Sequence, residues 1–151
     1  MIVITDSNII FSALINPEGT VASIFKERSN LQFLAPAVLI DETKKHFDKI
    51  AEFSKLKKSD LQIEFTEILS KISVIENQDV PKKYVIQAID IVADIDYDDA
   101  FFVAIHLFKK HKIWTSDMKL VNGLKRKGFD ICITTTQIKS QLYKRKQSPK
   151  F

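Results

Sequence analysis

The chain has 151 residues, one domain's worth at the usual ~100 to 200 residues per domain, and its 45% hydrophobic and 28% charged residues, with only 3 Gly and 4 Pro, exclude a disordered or fibrous protein. Its single cysteine, Cys132, excludes an intramolecular disulfide and a multi-cysteine zinc site, and with no apolar run near the ~18 residues that span a bilayer and no secretory signal, a soluble cytoplasmic protein without a membrane partner is expected. The net charge of +4 is segregated: residues 1–118 hold 14 basic and 18 acidic residues, net −4, whereas residues 119–151 hold 9 basic and 1 acidic, net +8.

Residues 1–5 are a short, wholly apolar run rich in Ile and Val, the pattern of a strand covered on both faces, and the run stops at Asp6. Asn16-Pro17-Glu18-Gly19 reads as a turn, followed by a helix through Val21, Ile24 and Phe25 that ends in Arg28-Ser29-Asn30. A second apolar run, 31–35, predicts a strand, and Pro36 suits the first turn of a helix reaching residue 53. After Lys57-Lys58-Ser59-Asp60, the residues Leu61, Phe65, Ile68, Leu69 and Ile72 recur at helical spacing, and 73–76 predicts a third strand. Helices are expected over 81–93 and 97–110, a strand over 112–115, a helix over 118–127 closed by Gly128, a strand over 129–134 and then a terminal helix. This alternation predicts an α/β sandwich with a mostly parallel sheet.

There is no Walker loop, glycine-rich dinucleotide fingerprint, nucleophile elbow or histidine pair at helical spacing, which argues against nucleotide-driven and serine-hydrolase chemistry. Carboxylates instead fall at suggestive places. Asp6 follows the first strand, and Asp117 follows the fourth in Ile113-Trp114-Thr115-Ser116-Asp117. In a parallel sheet both lie at the carboxyl edge, where open α/β folds place ligands. Glu42 and Asp99 fall in the first turns of two helices that run back from that edge. Four converging carboxylates repel one another unless a cation neutralises them, and hard oxygen donors favour Mg²⁺ or Mn²⁺ over zinc. A metal-dependent phosphoryl site is the resulting expectation. Each acid has a plainer explanation: Asp96 can cap a helix with Asp98 and Asp99 complementing its positive end, and Glu42, like Asp41, sits where acids gather near helix starts. His46 reads as an exposed helical residue and His111 as part of a basic run. Phe11, Phe25, Phe33, Phe101, Phe102, Phe108 and Trp114 read as core.

In order and context these acids resemble the PIN-domain family of metal-dependent nucleases, through about residue 143. Asp6-Ser7-Asn8 is similar to the family's opening Asp-x-Asn, and Val38-Leu39-Ile40-Asp41-Glu42 to the segment carrying its second acid. Asp96-Tyr97-Asp98-Asp99-Ala100-Phe101-Phe102-Val103-Ala104 is the closest match, and Thr115-Ser116-Asp117 resembles the closing Thr/Ser-x-Asp. Ser7 stands where Thr is frequent. The resemblance implies a three-layer α/β/α sandwich with a sheet of four to five strands over residues 1–143, leaving a basic tail at 144–151. It also implies that Asp6, Glu42, Asp99 and Asp117 are catalytic and hold one or two Mg²⁺ or Mn²⁺ ions with Asp96 as helper, and that Asn8 and Thr115 orient those ligands. Lys119, Lys125, Arg126 and Lys127, on the helix after Asp117, would then hold the backbone of a nucleic acid, RNA above DNA, which joins the charge asymmetry to the site. The basic tail has the plain alternative of a solvated end. A homodimer and, in a toxin-type ribonuclease, an antitoxin protein are the implied protein partners. Two rivals remain: a catalytically silent binding module, and a phosphatase with Asp6 as nucleophile. The second would want a further Asp two residues on, where this chain has Asn8.

Overall fold

A computed structural model of the chain describes the backbone of residues 1–147 and side chains through residue 144. Its centre is a five-stranded, all-parallel sheet in the order β3-β2-β1-β4-β5, formed by β1 (Ile2–Thr5), β2 (Gln32–Pro36), β3 (Ile72–Ile75), β4 (Lys112–Trp114) and β5 (Cys132–Ile133). The central strand is β1. Val3, Ile4 and Thr5 are fully buried because β2 and β4 flank them and helices cover both faces. Every crossover is helical, and the whole is a three-layer α/β/α sandwich. Chain order runs outward from β1 to β3 and then returns to the opposite side through β4 to β5, so the switch point of the sheet lies between β1 and β4. In open parallel sheets, that is where a crevice forms beyond the carboxyl ends of the strands.

Between the strands lie α1 (Ser7–Ile15), α2 (Thr20–Lys26), α3 (Val38–Lys45), α4 (Phe47–Ser54), α5 (Lys58–Leu69), α6 (Lys82–Val92), α7 (Ala100–Lys109), α8 (Met118–Arg126) and α9 (Thr135–Gln147). Helix α1 packs against α2, α3, α4 and α5, while α7 lies across β1, β2 and β4 with α6 against it. One anchor of the core is a ring cluster of Phe25, Phe33 and Trp114 with centroids 4.6 to 5.9 Å apart. The Trp114 indole still satisfies its N–H by donating to Thr135 Oγ1 at 3.0 Å, as a fully buried Trp must. Among the described residues, no helix is long and apolar enough to cross a membrane.

Several expected boundaries move, each for a local reason. The segment after Asp6 is a helix, α1, that the apolar run 9–11 conceals: Ile9, Ile10, Ala13 and Leu14 are all buried, so little polar periodicity marks it. Pro36 ends β2 instead of opening a helix. It pairs in register with Ile75, a place where a strand end tolerates the missing N–H. The helix expected over 36–53 is two helices, broken at His46, which has φ −100° and ψ 11°. Ile72 belongs to β3, opposite Phe33, instead of to the helix before it. The stretch 97–99 is a single 3-10 turn ahead of α7. β5 holds two residues where six were expected, because Ile113 and Trp114 are the only partners β4 offers it. The basic end expected as a tail begins helically, since Lys, Arg and Gln are good helix formers and α9 runs through Gln147. The rest of that expectation, residues 148–151, lies outside the described residues.

Candidate functional site

Three helix N-termini meet at the carboxyl end of β1 and β4, and each begins at one of the expected acids. Asp6 is the N-cap of α1, Asp117 of α8 and Asp99 of α7. The two strand-end acids do cap their helices: Asp6 Oδ1 accepts from the Ser7 amide at 2.7 Å, and Asp117 Oδ1 accepts from the Lys119 and Leu120 amides at 3.0 and 3.4 Å. Capping and helix dipoles stabilise negative charge here, so these residues answer to structure and to chemistry at once.

Thr115 ties the two strand ends together. Its hydroxyl donates to Asp6 Oδ2 at 2.7 Å and accepts from the Asp117 amide at 3.0 Å, joining positions 109 residues apart in sequence through the first bond. Asn8 completes the network: its amide nitrogen reaches Asp6 Oδ2 at 3.1 Å and Thr115 Oγ1 at 3.3 Å, and its Oδ1 accepts from the Ser116 amide and hydroxyl at 3.3 and 3.2 Å. Glu42 arrives from α3 and accepts from the Ser7 hydroxyl at 2.5 Å.

The electrostatics of this arrangement are unfavourable as it stands. Burial pushes the Asp6 carboxyl above its ordinary value, against the opposing bonds from Thr115 and Ser7, and the nearby Asp117 and Glu42 charges push the same way. Asp99 goes further. With 8% of its surface exposed, it is lifted to about 7, first by burial and then by the charges of Asp6, Asp96, Asp117 and Asp98. Its Oδ2 is buried without a hydrogen-bond partner. A carboxylate oxygen left in that condition is costly, and the usual remedies are a proton or a cation.

Asp6, Glu42, Asp99 and Asp117 line one cleft of about 480 Å³, together with Ser7, Asn8, Phe11, Val38, Lys45, His46, Asp98 and Phe102. An all-oxygen donor set with an orphaned carboxylate oxygen fits a hard divalent cation. Among the described residues, no three His, Cys, Asp or Glu side chains already stand as a chelating group.

The remaining expected residues lie elsewhere. Asp96 is exposed and turns its carboxylate to the Asp98 amide at 3.0 Å, capping the 3-10 turn; it does not line the cleft, and Asp98 does. Lys119, Arg126 and Lys127 line a separate recess of about 230 Å³ with Asp94, Ile95 and Gly123. Lys127 bonds the Ile91 carbonyl at 2.6 Å and pairs with the Asp94 carboxylate, so its charge ties α8 to the end of α6. Lys125 is exposed and lines neither space. Sequence reasoning passes over Ser7, Lys45 and Asp98 and discounts His46. Ser7 and Asp98 were signalled by adjacency to Asp6 and Asp99, whereas Lys45 and His46 enter only because α3 stops where no Gly or Pro marks a break.

A family model described as PIN domain matches residues 4–143, while no individual curated protein matches the chain. PIN domains are generally nucleases and typically depend on divalent metal ions. The match takes in the second half of β1, the other four strands and all four clustered acids, and the chain belongs to the PIN-domain family.

Proposed function

We propose that this protein is a divalent-metal-dependent endoribonuclease whose reaction centre is the cleft at the β1–β4 switch point. The observation that carries the reading is the buried, unpartnered oxygen of Asp99, a residue that lines the same cleft as Asp6, Glu42 and Asp117. Those four carboxylates would hold the ion, Mg²⁺ or Mn²⁺. When bound, such an ion supplies Lewis-acid activation of a phosphodiester and lowers the pKa of an attacking water. The chain's own contribution is positional. Thr115 and Asn8 fix the Asp6 carboxylate through both bonds to Oδ2, and Ser7 fixes Glu42, so two donors are oriented before any ligand arrives. Three helix N-termini aimed at the cleft offset part of the negative charge that a phosphate would add.

RNA as the substrate is supported by the motif resemblance. The same resemblance to toxin-type ribonucleases extends the proposal to an antitoxin protein as the partner that silences the cleft. The reading is tested by calorimetry of Mn²⁺ and Mg²⁺ on the natural sequence and on Asp6→Asn, with cleavage of a mixed single-stranded RNA pool followed alongside. The expected result is metal binding and metal-dependent cleavage that the substitution abolishes while circular dichroism stays unchanged. An unsubstituted protein that binds neither ion, or an Asp6→Asn protein that still cleaves at full rate, would sink it.

A further inference from the structure

Five carboxylates line the cleft, from Asp6, Glu42, Asp98, Asp99 and Asp117, and such a surface repels a polyanion unless a cation meets its backbone. The basic residues of α8 do not line it, and Lys127 is already engaged by Asp94. The basic side chains that do are Lys45 and His46, both delivered by the break between α3 and α4. Lys45, in the last turn of α3, is exposed and makes no ion pair among the described residues. The His46 ring is exposed too and meets the half-buried Phe11 ring edge to face, with centroids 5.6 Å apart. Phe11, Val38 and Phe102 give the same cleft an apolar part to its lining.

We propose that the α3–α4 break is a strand-holding arm: Lys45 takes a backbone phosphate beside the reacting one, and the Phe11–His46 ring pair takes an unpaired base of the strand. The inference rests on the reading of the cleft as a nuclease site. A base inside a duplex has both faces stacked and cannot offer one to the Phe11–His46 pair, whereas an unpaired base can. A single lysine–phosphate contact adds a salt-dependent component to affinity and no sequence preference. Recognition built this way is tolerant of sequence and strict about strandedness.

The test is fluorescence anisotropy on the natural sequence with Ca²⁺ in place of Mg²⁺, a hard cation for the same oxygen donors, with cleavage checked on gels, using a short labelled mixed-sequence RNA, its DNA counterpart and the RNA annealed to its complement. Lys45→Ala should weaken single-strand binding and shrink the slope of log affinity against log salt by about 0.7. Phe11→Leu keeps the apolar lining but removes the ring, and should weaken single-strand binding about fivefold or more. It should leave both the salt slope and duplex binding unchanged. Arg126→Ala, in the separate recess, should move none of these by as much. Comparing the RNA and DNA strands identifies which the arm holds, and either supports it. Lys45→Ala and Phe11→Leu binding like the parent, or a duplex bound as tightly as the single strand, would overturn the arm while leaving the nuclease reading standing. If neither strand nor duplex bound the parent protein, both readings would fall together.

Discussion

The acidic cleft and the basic recess beside α8 handle charge in opposite ways. In the recess Lys127 meets Asp94 and the Ile91 carbonyl, so opposite charges pair and a helix end is tied down. In the cleft five carboxylates of one sign share about 480 Å³, and one of their oxygens is buried without a partner. Folding alone favours the first arrangement. The second persists against its own electrostatics, and the compensation that the fold provides is partial: two caps, three helix N-termini, the Thr115 and Ser7 hydroxyls and the Asn8 amide. A family resemblance suggests where a ligand belongs, but this imbalance is a physical reason for one to be held there.

The contrast breaks most decisively at Asp99. An acid whose folded-state pKa is raised from 3.8 to about 7 costs the fold nothing while it is protonated in both states, below about pH 4, and its penalty grows as pH rises to about 7 and is complete above that. The metal-free protein should therefore lose stability between pH 4 and 7. Asp99→Asn should remove that pH dependence and stabilise the metal-free protein by about 1 to 3 kcal/mol at pH 8, the usual penalty of an unsatisfied buried group. It should abolish cleavage as well. Urea melts across pH, with activity assays alongside, would show whether the two outcomes separate; a substitution that destabilised the fold at pH 8 would mean that the carboxylate is structurally satisfied after all.

Thr115→Val offers a sharper, smaller test. Valine keeps the shape but removes the hydroxyl that serves Asp6 Oδ2, the Asp117 amide and Asn8, so Asp6 should titrate still higher and cleavage should fall by roughly 10 to 100-fold. Activity unchanged in a steady-state assay would show that Asp6 is held well enough by Ser7 and Asn8 alone. The smallest effect belongs to the recess: Lys127→Met should lower the melting temperature slightly and leave nucleic-acid binding and cleavage as they were, because that cation is committed to α6. A loss of RNA affinity as large as that from Lys45→Ala would erase the distinction between the two regions.

The sequence makes Asp6 and Asp117 legible because an apolar run that ends abruptly in a carboxylate describes a buried strand and its carboxyl end together. The parallel sheet followed from the same alternation of runs. Where legibility fails, the cause is tertiary. Helix α1 is apolar over so much of its surface that periodicity, which needs a polar face, has nothing to report. The break at His46 depends on how α3 and α4 pack around α1, and no Gly or Pro announces it. Charge counting located the basic cluster of α8 correctly, but the partner that neutralises Lys127 sits 33 residues earlier in the chain, a pairing no local pattern displays. Asp96 and Asp98 are chemically equivalent in sequence, and only the geometry of the 3-10 turn decides which of them faces the cleft.

The bond from Thr115 to Asp6 has a consequence for the order of events during synthesis. One partner is made 109 positions before the other, which follows the end of β4. At roughly 5 to 20 residues per second, that interval lasts on the order of five to twenty seconds. Throughout it Asp6 lacks its hydroxyl donor and β1 lacks β4 as its neighbour. A nascent chain thus carries an unassembled cluster of acids until the last part of the sheet closes.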